Sequence, residues 1–198
     1  MRVHVIHAHP VETSYNRALF QTVVDSLEAR GHEVDALNLH EEGFSPVLTR
    51  EERLRYHDVP GNVTPDIRPY VDRLRAADAM VIVFPVWNEG FPAILKGYFD
   101  RIFLPGVAFR IEGGEGKDKG KPVPCLDNIR KVAFVTTYGT DRLHAWLLGD
   151  PPRRVAMRWG WGVFQTRPHY LALYGMNDVT KERLKGFLDT VRDHMSRF

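Results

Sequence analysis

The chain has 198 residues, of which 43% are hydrophobic and 26% are charged, so it can form one full-sized globular domain with a substantial core. Its formal net charge of +2 gives no indication of nucleic-acid binding, and its one cysteine, Cys125, excludes an intramolecular disulfide and a CxxC motif. No apolar stretch is long enough to span a bilayer and no secretory signal is visible, which together predict a cytoplasmic protein.

The first half of the chain alternates between predicted strands and helices. Val3–His7 is a short apolar run that predicts a strand, and Ser14–Arg30 has helical spacing that stops at a glycine. Glu33–Leu39 predicts a second strand. A long polar connection follows, with a short helix near Thr49–His57 that begins with a capping box, and Pro65–Ala76 predicts the next helix.

The middle of the chain begins with the apolar run Ala79–Phe84, which is typical of a central strand in a parallel sheet. Pro92–Leu104 predicts a helix that is apolar on more than one face. Pro105–Leu126 is rich in glycine and proline and predicts irregular structure, including a solvated loop at Gly113–Lys121. Lys131–Thr136 predicts a fourth strand in the chain.

In the last part of the chain, the sequence pattern predicts a helical region, a fifth strand and a final helix. Arg142–Trp159 has helical character that is interrupted at Gly149–Pro152, and Gly162–Leu173 contains the strand. Asp178 is expected to cap a final amphipathic helix. Its inward-facing residues are expected to be Leu184, Phe187, Leu188 and Val191. Strands that alternate with helices in this way predict an α/β fold with a doubly wound parallel sheet.

The turn after the first strand predicts an anion site. The segment His7–Phe20 runs from that strand into a helix N-terminus, where free N–H groups attract negative charge, and it carries Thr13, Ser14 and Asn16. It contains neither GxxxxGK[ST] nor GxGxxG, which disfavours a nucleotide triphosphatase and a standard dinucleotide site. The alternative is that a hydroxyl here only caps the helix and that Asn16 is solvated.

The loop Pro85–Gly90 follows the third strand and lies where ligands of open α/β sheets bind. It is rich in backbone and aromatic groups and carries a single charge, Glu89. Such a loop suits a flat, mostly uncharged ring that needs hydrogen bonds at its edge and cover on one face. The alternative for Trp87 is a role as a core or interface aromatic residue.

The segment Phe84–Phe103 and the turn that contains His9 resemble those of the NAD(P)H:quinone oxidoreductases, a branch of the flavodoxin-like superfamily. The resemblance implies one flavodoxin-like, flavin-binding domain over residues 1–198, with five parallel strands in the order 2-1-3-4-5 and a homodimer with active sites at its interface. The residues that match the family's flavin-binding positions are His9, Thr13, Ser14, Tyr15, Asn16, Pro85, Val86, Trp87, Asn88, Glu89, Thr136, Thr137, Tyr138 and Gly139.

The same resemblance implies the residues around the reacting groups. Tyr138 replaces a glycine of the family's third flavin loop, and His144 falls where the family commonly has a tyrosine, so both are candidate catalytic residues. Ala108, Phe109 and Arg110 match a stretch that lines the substrate pocket, although a solvated role for this arginine is the alternative. The histidines near the first strand lack carboxylate or thiol partners in sequence, so we expect no metal site.

The predicted activity is that of a flavin-dependent NAD(P)H oxidoreductase that reduces quinone-like acceptors with ping-pong kinetics. FAD is favoured over FMN because the phosphate turn resembles the branch that binds FAD. Three alternatives stay open: an azo or nitro reductase, a flavin-binding regulatory subunit of a potassium-efflux transporter, and a flavodoxin-type electron carrier. The carrier is disfavoured because such proteins are usually strongly acidic, whereas this chain is not.

Overall fold

The computed structural model describes residues 1–113 and 120–198. Its strands are β1 (Arg2–His7), β2 (Glu33–Asn38), β3 (Ala79–Val86), β4 (Phe109–Ile111), β5 (Pro122–Pro124), β6 (Lys131–Tyr138) and β7 (His169–Leu173). Five of them form a parallel sheet in the order β2-β1-β3-β6-β7, which confirms the flavodoxin-like order 2-1-3-4-5. The strands β4 and β5 form a separate antiparallel pair.

Helices cover both faces of the sheet. They are α1 (Tyr15–Glu28), α2 (Arg50–Leu54), α3 (Arg68–Ala76), α4 (Ala93–Ile102), α5 (Arg142–Leu147), α6 (Pro151–Arg154), α7 (Gly160–Phe164) and α8 (Lys181–Met195). A π-helical turn, Val155–Trp159, joins α6 to α7. Residues of α1 and α8 pack on Val81 and its neighbours, whereas α3 and α4 pack on Ile82 and the residues that point the same way. The central strands are therefore buried on both sides, as their continuous apolar runs predicted.

The last helix begins later than the sequence predicted. Asp178 lies at the end of the single 3₁₀ turn Met176–Asp178, and the cap of α8 is Thr180, whose hydroxyl accepts a 3.3 Å bond from the N–H of Arg183. The expectation for Asp178 was wrong because an aspartate and a threonine two residues apart offer the same capping chemistry. The path of the chain into the helix decides which of them is used.

Two connections contain more regular structure than expected. The segment predicted to be irregular after α4 includes the pair β4–β5, while residues 114–119 of the expected loop at Gly113–Lys121 lie outside the described residues. The predicted helical region Arg142–Trp159 breaks after α5 and restarts at Pro151, then continues through Gly162 to the end of α7. Pro151 suits a first helical position because it has no N–H that would need an acceptor.

The long connection between β2 and α3 is fastened to α4 by a buried ion pair. Arg101 of α4 donates to Glu52 at 2.5 and 3.0 Å, and also to Asp66 at 2.5 Å. Glu52 also completes the predicted capping box with Thr49. Gly97 lies one helical turn before Arg101, and the backbone of the connection passes so close to it that no Cβ would fit. These contacts hold α2 beside α4.

No helix in the described ranges is long and apolar enough to cross a membrane.

Candidate functional site

Three loops leave the sheet side by side at the carboxyl ends of β1, β3 and β6. Pro85 and Val86 are aligned with Thr137 and Tyr138 across β3 and β6. On the other side of β3, the N–H of Ala8 donates to the carbonyl of Val83 at 3.1 Å. The carboxyl ends of parallel strands form the ligand-binding edge of open α/β sheets. Three predicted segments therefore meet at one edge: the phosphate turn (residues 7–20), the loop at residues 85–90, here called the ring loop, and the third flavin loop (residues 136–139), here called the third loop.

The first turn of α1 holds a buried amide with no partner. Ser14 caps this helix by accepting a 3.1 Å bond from the N–H of Arg17, while Thr13 is exposed. Asn16 is 3% exposed, and neither its Nδ2 nor its Oδ1 makes a hydrogen bond within the described part of the chain. Tyr15 instead turns towards α8, where its hydroxyl donates to a backbone carbonyl at 2.7 Å and burial raises its pKa.

Two histidines of the phosphate turn lie on its side nearest the ring loop. His7 is buried, its ring stacks on Phe20 with centroids 4.8 Å apart, and burial lowers its pKa to about 4. The ring of His9 lies 5.7 Å from that of Trp87, and its Nδ1 accepts a 3.0 Å bond from a backbone N–H. Burial lowers the pKa of His9 as well. The turn therefore carries neutral rings at neutral pH, and it contacts the ring loop directly.

The ring loop is a tight two-residue turn. Trp87 and Gly90 exchange backbone hydrogen bonds of 3.2 and 2.9 Å, and the two residues between them have positive φ angles, 46° at Asn88 and 55° at Glu89. The N–H groups of these two residues donate to no other group of the described chain. They are available to a ligand. The indole of Trp87 is 43% exposed and can cover one face of a flat ring.

The third loop begins with a buried tyrosine whose hydroxyl is fully engaged. Tyr138 donates to Asp150 at 2.7 Å, and its hydroxyl lies 2.5 Å from that of Tyr170. Tyr174 stacks on Tyr138 at 4.3 Å and donates to the same carboxylate at 3.0 Å. Burial, followed by the neighbouring Tyr170, raises the pKa of Tyr138. The hydroxyl of Tyr138 thus faces Asp150, while the hydroxyl of buried Thr136 has no partner in the described chain.

His144 stands at the exposed rim of the same edge, beside an aspartate. Its Nδ1 lies 2.5 Å from the carboxylate of Asp141, which also caps α5 through a 3.0 Å bond from the N–H of His144. The backbone and side chain of His144 hold the pKa of Asp141 below its ordinary value. A cavity of about 420 Å³ is lined by both residues and by Gly139. Asp141 was not singled out from the sequence, although an aspartate before a helix is a capping signal.

A cavity of about 1010 Å³ lies between the ring loop, α4 and the turn after α6. Its lining is mostly apolar and includes Glu89, Phe91, Phe99, Phe109 and Trp159. Trp159 comes from a part of the chain that sequence reasoning did not connect with the site. Of the other predicted substrate contacts, Ala108 is buried and Arg110 pairs with Glu112 at 3.4 Å on the surface.

Comparisons with known proteins agree with this architecture. A family model described as "Flavodoxin-like fold" matches residues 1–181. A protein of Haemophilus influenzae named uncharacterized NAD(P)H oxidoreductase is 35% identical over 133 residues, which cover 67% of this chain and 62% of that protein. The chain therefore spans less than two thirds of this relative's length.

Two solved structures have the same fold. The NAD(P)H:quinone oxidoreductase of Methanothermobacter marburgensis gives a TM-score of 0.83 at 23% identity, covering 99% of this chain and 98% of that one. An FMN-dependent NADH-azoreductase of Bacillus anthracis, solved in complex with FMN, gives 0.74 at 18% identity with the same coverage. Together with the family model, which covers nearly the whole chain, the sheet order and the three adjoining loops establish that this protein belongs to the flavodoxin-like family.

Proposed function

We propose that this protein binds a flavin at the carboxyl edge of its sheet and uses it to reduce quinone-like acceptors with NAD(P)H. The names of a Haemophilus relative and of a Methanothermobacter structure support the nicotinamide and quinone parts of this proposal. The FMN bound in the Bacillus azoreductase supports the flavin part. These properties belong to those proteins. The side chains and free backbone groups at the carboxyl edge of the sheet are the reasons to extend them to this chain.

The observation that carries the proposal is a set of buried polar atoms, on all three loops, that have no partner among the described residues. They are the amide of Asn16 in the phosphate turn, the Oε2 of Glu89 in the ring loop and the hydroxyl of Thr136 at the third loop. Buried polar groups in folded proteins nearly always have a hydrogen-bond partner. A flavin offers phosphate, carbonyl and ring N–H groups to such atoms, so the residues present fit it.

The loops at the carboxyl edge of the sheet would each contact a different part of the bound flavin. The helix N-terminus with Ser14 and Asn16 would hold the phosphate, and the free N–H groups of Asn88 and Glu89 would bind the edge of the ring. Trp87 would cover one face and exclude water. When bound, the flavin supplies the exchange of a hydride equivalent, which protein side chains cannot provide.

His144 is the residue that we propose to hold and release a proton. Because the carboxylate of Asp141 lies 2.5 Å from its Nδ1, the ring is oriented, and His144 lines the smaller cavity beside Gly139, where it would bond to the flavin ring. For Tyr138, a catalytic role was also predicted from the resemblance. Its contacts favour a role in holding Asp150, and a Tyr138→Phe variant with unchanged turnover would exclude the catalytic one.

The large aromatic cavity is the proposed place for the acceptor. A flat apolar compound would pack against Phe109 and Phe91, and the nicotinamide substrate would use the same space before it. Because the nicotinamide substrate must leave the cavity before the acceptor can enter it, we expect ping-pong kinetics. Double-reciprocal plots of rate against substrate concentration should then give parallel lines. An azo compound fits the same description, and the fold shared with the Bacillus azoreductase makes it the second candidate acceptor.

The finer parts of the proposal have their own tests. FAD is the proposed flavin, although the Bacillus azoreductase holds FMN, and chromatography of the extracted flavin separates the two. A homodimer, which the resemblance implies, is also part of the proposal, and sedimentation would detect it. A cytoplasmic location is also part of the proposal. Stable binding to a membrane transporter without acceptor turnover would favour the regulatory alternative.

The deciding experiment is a visible absorption spectrum of the flavin-reconstituted protein before and after anaerobic addition of NADPH. We expect a flavin band that bleaches, followed by its recovery when a quinone is added. An Asn16→Ala variant should weaken flavin binding at least tenfold, whereas Gln21→Ala, on the exposed side of the same helix, should leave it unchanged. Absence of bound flavin would refute the proposal, and a flavin that NADPH cannot reduce would favour the electron carrier.

A further inference from the structure

A second concave surface lies beside α5, and its lining shares the chain segment 149–159 with the lining of the large aromatic cavity. We call it the arginine groove, and it has a volume of about 280 Å³. Its lining residues are Trp146, Gly149, Asp150, Arg153, Arg154, Met157 and Arg158. Three of these seven residues are arginines, and nothing in the proposed function above uses them. From this lining we propose that the arginine groove binds the phosphorylated adenosine half of the nicotinamide substrate and thereby selects NADPH over NADH.

The positive charge of the groove is not neutralised by the protein. Within residues 1–113 and 120–198, no carboxylate lies within salt-bridge distance of Arg153, Arg154 or Arg158. The nearest acid, Asp150, already accepts bonds from Tyr138 at 2.7 Å and from Tyr174 at 3.0 Å. Because Arg154 and Arg158 are four residues apart on one helical segment, they also repel each other. A bound anion would relieve that repulsion.

The groove also offers a flat apolar surface. Trp146 lines the groove and is 70% exposed, so its indole face is available to a ligand. An exposed indole beside guanidinium groups matches a ligand that joins an aromatic base to phosphate. Guanidinium groups bind phosphate oxygens in pairs, and the indole can stack on the base. The volume is smaller than that of a typical whole-ligand site, so the groove suits one half of a dinucleotide.

The position of the groove agrees with this role. Arg153 and Arg154 of the groove directly follow Pro151 and Pro152, which line the aromatic cavity proposed for the nicotinamide. A dinucleotide with its adenosine in the groove can therefore extend its nicotinamide half towards that cavity. A second copy of the chain is a poorer occupant, because a two-fold contact through this surface would bring the arginines towards their own copies.

The inference rests on the proposed function, but its first test does not require turnover. Binding of 2′,5′-ADP to the purified full chain, with and without flavin, would be followed by calorimetry and by the change in tryptophan fluorescence that a Trp146→Phe variant loses. We expect Arg154→Gln and Arg158→Gln each to weaken binding five- to thirtyfold. Arg167→Gln, which removes the same charge from an exposed position outside the groove, should change it less than twofold.

The outcomes separate the two proposals. Binding of 2′,5′-ADP that the groove variants weaken, with a matching rise in the KM for NADPH and none for NADH, supports the inference. If 2′,5′-ADP binds as expected but NADPH reduces no flavin, the groove stands and the proposed function fails. If 2′,5′-ADP does not bind, if 5′-AMP binds equally well, or if only anionic phosphatidylglycerol vesicles bind through these arginines, the inference is refuted.

Discussion

The turn at Asn88 and Glu89 stores backbone strain at the site, and a single substitution tests this. Both residues have positive φ angles, and the turn is closed by two bonds between Trp87 and Gly90. Two-residue turns of this kind strongly favour glycine at the second central position. A glutamate there has a Cβ that opposes the conformation, and its Oε2 is buried without a partner in the described chain. We therefore predict that Glu89→Gly stabilises the flavin-free protein.

The magnitude follows from two opposing contributions. Relief of a left-handed conformation at an ordinary residue is worth about 1–2 kcal/mol, and the added freedom of glycine in the unfolded chain costs about 0.4–1 kcal/mol. The expected gain in unfolding free energy is up to about 1.6 kcal/mol, or roughly up to 6 °C in Tm for a chain of this size. Asn88→Gly is the matched control. Because asparagine tolerates this conformation, little strain is relieved, and Asn88→Gly should range from no change to a loss of about 1 kcal/mol.

Urea unfolding of both variants without flavin measures the effect on stability, and titration with flavin measures the effect on function. We expect Glu89→Gly to raise the urea midpoint but to weaken flavin binding, since the loop would no longer be held in one conformation. A lower midpoint for Glu89→Gly than for the parent would refute the reasoning. So would an equal gain from Asn88→Gly, because the strain would then not lie at the glutamate.

Two further predictions concern close packing and a buried titrating group. Gly97→Ala should cost about 1–3 kcal/mol or more because its Cβ would overlap the backbone of Pro46, whereas Gly186→Ala on the open face of α8 should gain up to about 1 kcal/mol. Equal urea midpoints would contradict this. Burial lowers the pKa of His7 from 6.5 to about 4, so the unfolded chain binds a proton first as the pH falls. The stability contributed by neutral His7 should fall by about 3 kcal/mol between pH 6.5 and 4, and His7→Gln should reduce the pH dependence by that amount; superimposable pH profiles of parent and variant would contradict it.

The sequence by itself determined the elements that depend on local pattern. The run Ala79–Phe84 predicts a central strand because every residue in it is apolar, and the structure buries it on both faces. The capping box at Thr49 is confirmed because a cap needs only residues that lie within three positions of one another. The alternation of strand and helix then leaves few topologies, since parallel crossovers are right-handed. The resemblance to the quinone oxidoreductases then selected the order 2-1-3-4-5 among them.

Only the tertiary structure decided which side chains meet. Tyr138 reaches Asp150, and Trp159 joins the wall of the cavity, because separate segments pack on the same strand ends. The unpartnered amide of Asn16 likewise depends on the burial of a helix turn by distant residues, which no local pattern encodes. The sequence could therefore name the loops of the site. The direction of each side chain and the charge left unpaired in the arginine groove follow from packing between residues far apart in the chain.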